Sequence, residues 1–258
     1  MRRKWVLFFL LLLLLRGRGA FGWSFGVCGV SGDDKNRVLP RILSAVEKSD
    51  MEFLLHTGNL ERSGGIPAWQ TFRERTKRFS KPLYLVIGKQ ELRGATAEEF
   101  ARFFGLPDSS YSFTHKDAHF VIVDNAGGAL PDSRLEWLDR DLAAHSKATN
   151  GVRFLVVAMH IPPRTDNLFP HGTARNYDAQ SGRLREILAK HQVDLLLSSH
   201  EPMPLVEDWG GIKVIVSGGA GSPMVPFPRF GFYRIDLEKG RVKEKYLRIK
   251  SGKGSPSR

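Results

Sequence analysis

The feature that most constrains this chain is an alternation of short apolar runs with stretches whose apolar residues recur at helical spacing. Residues 25–30, 52–57, 83–87, 120–124, 154–159, 193–198 and 212–217 read as buried strands. Between several of them lie helical stripes: Val38, Ile42, Leu43 and Val46; Trp69 and Phe72; Leu135, Leu138 and Leu142. Thr96 and Glu99 form a capping-box pattern ahead of Phe100, Phe103 and Phe104. Residues 230–237 and 242–249, joined by Glu238-Lys239-Gly240, read as an antiparallel hairpin. Buried strands need cover on both faces and helices supply it, so the pattern predicts an α/β fold with mixed sheets. There is no internal repeat and no linker long enough to divide the chain, which places a single domain over residues 23–250.

Apolar residues make up 41% of the 258 and aromatics 10%, enough for a packed core and incompatible with disorder. Cys28 is the only cysteine, which excludes a disulfide scaffold and a cysteine-ligated zinc module. Within the first strand it reads as a small buried apolar residue. The formal charge of +12 is concentrated at the start. Arg2, Arg3 and Lys4 precede an apolar run from Trp5 to Leu15, followed by Arg16 and Arg18. That run is too short to span a bilayer but matches a secretory signal, with Ala20-Phe21-Gly22 as a cleavage site. Residues 1–22 are therefore read as a signal peptide, whose five basic residues account for the difference between +12 and +7. The mature chain is expected to be secreted or periplasmic; an uncleaved signal would instead anchor it to a membrane, the only membrane contact expected. Residues 251–258, rich in Gly, Ser, Pro and basic residues, read as a flexible tail. Arg73, Arg75, Lys77, Arg78 and Lys81 form a basic run, read as a solvated helix face. No aromatic-basic interleaving supports nucleic-acid binding, and none is predicted.

Polar residues of chemical interest follow the strands, where α/β folds place their sites. They are Ser31–Asp34, Gly58-Asn59, Gly88–Glu91, His160-Ile161-Pro162-Pro163 and Ser199-His200-Glu201-Pro202. On these residues the sequence resembles the calcineurin-like metallophosphoesterases, including their purple acid phosphatase branch. Phe25-Gly-Val-Cys-Gly-Val-Ser-Gly32, Leu55-His-Thr-Gly-Asn59, Leu85-Val-Ile-Gly-Lys-Gln-Glu91, Val156-Val-Ala-Met-His-Ile-Pro-Pro163 and Val193-Asp-Leu-Leu-Leu-Ser-Ser-His-Glu-Pro202 are similar to the family's five motifs, in order. Phe103-Phe-Gly-Leu-Pro, Tyr111-Ser-Phe, Phe120-Val-Ile-Val-Asp124, Leu135-Glu-Trp-Leu and Val216-Ser-Gly-Gly-Ala-Gly221 also look like family landmarks. The resemblance implies two packed mixed β-sheets flanked by helices, a four-layer sandwich with the site at one edge.

The family's chemistry uses two cations about 4 Å apart that polarise a phosphoryl group and activate water. Carried over residue by residue, the resemblance puts Val30 and Gly32 at the first Asp and the His or Gly two later. It puts Asn59 at the bridging Asp, Lys89 at the Asn ligand, Gln90 at the acid His and Pro202 at the last His. His160 and His200 keep their identity. One metal position would be left with Val30, Gly32, Asn59 and Pro202, the other with Asn59, Lys89, His160 and His200. A positive charge at Lys89 opposes a divalent ion there. Lys89 is expected to replace the metal charge, hydrogen-bond into the vacated space and keep His160 and His200 neutral. A different register slides the first motif onto Asp33, without restoring the other ligands. Glu91 and Glu201 are acidic neighbours, one an ordinary family variant and the other at a tolerant position. His56, His115, His119, His145 and His191 read as structural or solvent-exposed, His171 as exposed with a possible reach to the cleft mouth, and Asp124 as a family landmark that also suits loop capping.

The expectation is an exported metallophosphoesterase-fold protein that is catalytically degenerate and binds an anionic small ligand or a protein partner. Asn59, Lys89, His160 and His200 would line the cleft, with His160, His200 and Asn59 as vestigial metal ligands and no cofactor. The alternative is an active phosphomono- or diester hydrolase using one divalent ion (Mn, Zn or Fe) held by His160, His200 and a carboxylate. A third possibility is an interaction module whose old cleft is filled by side chains.

Overall fold

A computed structural model describes residues 22–32, 37–148, 151–168, 170–222 and 230–250. The signal peptide apart from Gly22, the alternative register at Asp33 with its neighbour Asp34, and the 251–258 tail lie outside the described residues. The strands are β1 (Trp23–Cys28), β2 (Leu54–His56), β3 (Leu83–Leu85), β4 (Tyr111–His115), β5 (Ala118–Val123), β6 (Phe154–Met159), β7 (Leu195–Ser198), β8 (Pro204–Asp208), β9 (Lys213–Ser217), β10 (Gly231–Glu238) and β11 (Arg241–Arg248). The helices are α1 (Val38–Glu47), α2 (Gly65–Thr76), α3 (Ala97–Phe104), α4 (Asp132–Ala144) and α5 (Tyr177–Lys190).

Two mixed sheets result, in the orders β11-β10-β1-β2-β3 and β4-β5-β6-β7-β9-β8. β1, β2 and β3 run parallel, as do β5, β6, β7 and β9; the remaining pairings are antiparallel. β6 shows why the sequence reads as it does. Phe154, Val156 and Ala158 face the other sheet, while Leu155, Val157 and Met159 face the helices. With both faces covered, period-two alternation becomes a continuous apolar run. Phe25, Phe53, Phe120, Leu195 and Ile235 fill the space between the sheets. α1, α2 and α3 pack on the five-stranded sheet through Ile42, Val46, Trp69, Phe72 and Phe100. α4 and α5 pack on the other through Leu135, Leu138, Leu184 and Leu188. These are the four layers expected.

The capping box forms as predicted: Thr96 Oγ1 accepts from Glu99 N, and Glu99 accepts from Thr96 N at 2.8 Å. Strand ends shift by a few residues from the sequence expectation. β4, β8 and α5 were not anticipated as elements, although Tyr177, Leu184 and Leu188 form a helical stripe on α5. The basic run is largely spoken for within the fold. Lys81 Nζ donates to the carbonyls of Val46, Ser49 and Met51 at the end of α1, and Arg73 lies 3.9 Å over the Phe103 ring. Arg75 and Lys77 pair with Glu61 and Glu74. No helix among the described residues is long and apolar enough to cross a membrane.

Candidate functional site

The carboxyl ends of β1, β2, β3, β6 and β7 meet at one edge of the two sheets. Three of their turns use left-handed backbone on residues with side chains: Val30 (φ 60°), Asn59 (φ 57°) and His200 (φ 61°). Asparagine tolerates this region, but a β-branched valine is an outlier there, at a cost of about 1–2 kcal/mol. The turns are held because the β1 and β2 loops stay zipped beyond the strands. Val30 N donates to Gly58 O at 2.9 Å, and Ser31 N and Gly32 N donate to Asn59 O at 3.0 and 3.2 Å. Strain of this kind persists where surrounding structure over-determines it, often at functional sites. Gly58 is required by close approach: a β-carbon there would lie 2.7 Å from His160 Nδ1 and 2.9 Å from Gly88 Cα.

Glu91 organises these loops from beneath. Its buried carboxylate accepts from Asn59 N at 2.8 Å, Leu60 N at 2.9 Å and Gly88 N at 2.7 Å. Burial pushes its pKa up to about 7, against the pull of those amides. The carboxylate is therefore aimed at main chain rather than at the cleft. Asn59 Oδ1, the atom at the bridging-carboxylate position, accepts from Gln90 N at 3.0 Å.

His160 follows β6 and is fully buried. Its Nδ1–H donates to Thr57 O at 2.8 Å, and Ser199 Oγ donates to the same carbonyl at 2.5 Å. His200 Nε2–H donates to His171 O at 2.9 Å. A carbonyl can only accept, so these partners define both neutral tautomers. The remaining nitrogens, His160 Nε2 and His200 Nδ1, face one another at 3.3 Å, each with a lone pair. Burial lowers the His160 pKa to about 3, with smaller contributions from the charges of His200 and Lys89. Burial likewise lowers that of His200. Both rings are neutral at pH 7, so the two facing nitrogens are acceptors.

Lys89 does not occupy that gap. Its ammonium donates to Gly172 O at 3.3 Å on the exposed rim. This corrects the expectation that it hydrogen-bonds into the metal space: beside the buried imidazoles an ammonium would lose its hydration, whereas the rim offers a carbonyl and water. Neutrality of the two histidines follows mainly from burial and only secondarily from Lys89. The segment 170–173 thus crosses the cleft mouth, with His171 O and Gly172 O accepting from His200 and Lys89. Glu201 fastens it by accepting from His171 N at 3.2 Å and His171 Nδ1 at 3.1 Å, although the His171 ring itself is 86% exposed. Gln90 Oε1 is buried and has no hydrogen-bond partner among the described residues.

The structure therefore brings Asn59, Lys89, Gln90, His160 and His200 to one edge, with Val30 on the same rim. The roles of Thr57 and Glu91 escaped the sequence reading, because they act through backbone carbonyls or amides that no residue letter marks. His56 is structural: Gly58 N donates to its Nδ1 at 3.2 Å, so its Nε2–H donates to Ser31 Oγ at 2.8 Å, and burial lowers its pKa to about 3. His115 binds Glu52 and His191 binds Asp139. Asp124 caps its loop, Oδ1 accepting from Ala126 N at 3.0 Å. Cys28 is buried at the end of β1, and burial raises its thiol pKa.

Among the described residues the donor set does not fit two metal ions: Val30, Gly32 and Pro202 supply no side-chain donor, Asn59 Oδ1 accepts from Gln90 N, and the carboxylate beside His200, Glu201, is engaged by His171. Comparison with known proteins places the chain nonetheless. The profile of the calcineurin-like phosphoesterase family matches residues 32–204, and the chain belongs to that family. A probable cyclic nucleotide phosphodiesterase of Rhodopseudomonas palustris is 28% identical over 189 residues, covering 67% of this chain and 65% of that protein. A 3',5'-cyclic adenosine monophosphate phosphodiesterase of Haemophilus influenzae is 21% identical over 183 residues, 69% of this chain and again 65% of the relative. The chain thus spans just under two thirds of the length of these curated relatives. A dimetal phosphatase from Danio rerio shares the fold with a TM-score of 0.69 at 13% identity, covering 89% of this chain and 99% of that one.

Proposed function

We propose that this chain is a family member that has lost two-metal hydrolysis and acts by binding an anionic, phosphate-bearing ligand at the cleft mouth. The observation that carries this reading is the donor set: among the described residues Val30, Gly32 and Pro202 offer no side-chain ligand, while Lys89 sets an ammonium on the rim beside the two imidazoles. Lys89 and the side-chain amide N–H groups of Asn59 and Gln90 provide the donors for such a ligand. The curated relatives are named as cyclic nucleotide phosphodiesterases, which supports a phosphate ester as the ligand class. A protein partner is the other occupant this reading allows. A solved Plasmodium structure of the same fold, described as the anchor in the inner membrane complex, is an example of a binding role (TM-score 0.64, 18% identity, 90% of each chain).

A single-metal hydrolase is the second reading, favoured by one distance. Two nitrogens bound to a tetrahedral ion at about 2.0–2.1 Å lie about 3.3 Å apart, the spacing seen here. The test uses the purified full-length protein with added manganese, zinc or iron and a phosphodiester substrate. The binding reading expects no turnover above background, and titration with inorganic phosphate that weakens in Lys89→Ala. Turnover that disappears in His160→Ala overturns it.

Export is part of the proposal and rests on the basic start, the apolar run and the small residues before Trp23. N-terminal sequencing of protein from the extracytoplasmic fraction should begin at Trp23; an intact N-terminus in the membrane fraction would make the segment an anchor.

A further inference from the structure

We propose that His119, Asp141 and His145 form a second cation site, of zinc type, at the opposite end of the six-stranded sheet from the cleft. His119 lies near the start of β5, whereas the cleft lies beyond the carboxyl ends of the parallel strands. Asp141 and His145 are four residues apart at the end of α4, so they project from one face. His119 Nε2 lies 2.7 Å from Asp141 Oδ1, and His145 Nδ1 lies 3.7 Å from the same oxygen. All three ligand atoms fall within 4.8 Å of one another.

The surroundings orient these donors. Thr114 Oγ1 lies 2.8 Å from His119 Nδ1, which leaves Nε2 directed at Asp141. Ser112 Oγ donates to Asp141 Oδ2 at 2.7 Å, which leaves Oδ1 directed at the two histidines. Hydroxyl groups on the far atoms of metal-binding imidazoles and carboxylates are the outer contacts that fix ligand geometry. A His119–Asp141 pair alone would be ordinary structure; His145 adds a second imidazole beside the same oxygen.

Two imidazoles and one carboxylate suit zinc or a similar borderline ion, with water as a fourth ligand. The access side is His145, whose side chain is 37% exposed against 1% for His119. The two rings stack at 3.8 Å with an 11° angle, and His145 Nδ1 donates to Asp141 O. One ion cannot lie in two parallel ring planes, so binding requires the exposed His145 ring to turn out of the stack and release that carbonyl. The ion would then join the last turn of α4 to the β4–β5 hairpin. This inference is independent of how the cleft functions.

The test is a titration of chelator-treated full-length protein with cobalt(II), read by the visible absorption of tetrahedral cobalt, with zinc in competition. One equivalent is expected in the His160→Ala/His200→Ala double variant, with the same affinity as that site has in the wild type. His145→Ala, a change at the surface, should weaken binding by at least about 100-fold, and Thr114→Ala, which spares every ligand, by about tenfold. Zinc should raise the Tm of the wild type and leave that of His145→Ala unmoved. Absence of a cobalt band, or a band that survives His145→Ala and disappears in the double histidine variant, overturns the assignment.

Discussion

The two halves of the cleft keep opposite things. The half built on β1, β2 and β3 has elaborate backbone: left-handed turns at Val30 and Asn59, glycines at van der Waals limits, and Glu91 gathering three amides. Its side chains supply almost no metal donors. The half built on β6 and β7 has two imidazoles held in defined tautomers by the carbonyls of Thr57 and His171. The difference is one of means: a buried carboxylate and inter-loop hydrogen bonds hold the first half, and side-chain bonds to carbonyls hold the second.

Glu91→Ala tests that framework most severely. Three buried amides lose their acceptor, at about 1–3 kcal/mol each where no water replaces it. Denaturant unfolding should show a loss of about 3–5 kcal/mol, while Glu201→Ala on the other rim should cost under about 0.5 kcal/mol, because its partner His171 is exposed. Equal effects would erase the distinction between the halves.

Chemistry restored to the first half alone sharpens it next. Combining Val30→Asp, Asn59→Asp, Lys89→Asn and Gln90→His should produce metal uptake at the cleft and phosphodiester hydrolysis at least about 100-fold above the unmodified protein. Adding His160→Ala should abolish the gain. If the combined variant folds and remains inert, the backbone there is not the preserved scaffold it resembles.

The buried histidines then predict the pH response. The native state leaves His56 unprotonated down to about pH 3, whereas the unfolded chain takes up the proton near its ordinary value of 6.5. Stability from this group is therefore complete above 6.5 and lost as pH falls toward 3, about 2 kcal/mol of it by pH 5. His56→Gln should narrow the stability difference between pH 7 and pH 5 by that amount in urea melts. Glu91, whose pKa is raised, acts in the opposite sense: its contribution is full below 4.5 and lost as pH rises through about 7. It does so in both proteins alike, so the difference isolates His56. The smallest effect belongs to the rim, where Lys89→Ala should weaken phosphate binding only a few-fold, since the ammonium is exposed and screened.

Much of the fold was legible because burial on both strand faces writes itself as apolar letters. Phe154–Met159 agrees residue for residue with its expected strand, and the Thr96–Glu99 box opens α3. β4 and β8 were not, because they are edge strands with partly exposed faces, and their mixed polarity resembles loop. The site was legible to the level of which residues follow which strand. Asn59, Lys89, His160 and His200 come from four separate stretches and do reach one edge. What Lys89 does there was misjudged, since its carbonyl partner Gly172 lies eighty-three residues away in the chain.

The amino-acid order alone settled the alternation of strands and helices and the strand ends at which polar residues collect, since apolar period and residue identity are local properties of the chain; the four layers followed from the family resemblance. Only the folded molecule decided which nitrogen of each histidine carries its proton, that Glu91 faces main chain, that Lys89 rests on the rim, and that His119, Asp141 and His145 meet at the far end. Those outcomes depend on backbone carbonyls and amides and on residues brought together from distant segments, and such groups acquire positions only when the sheets pack.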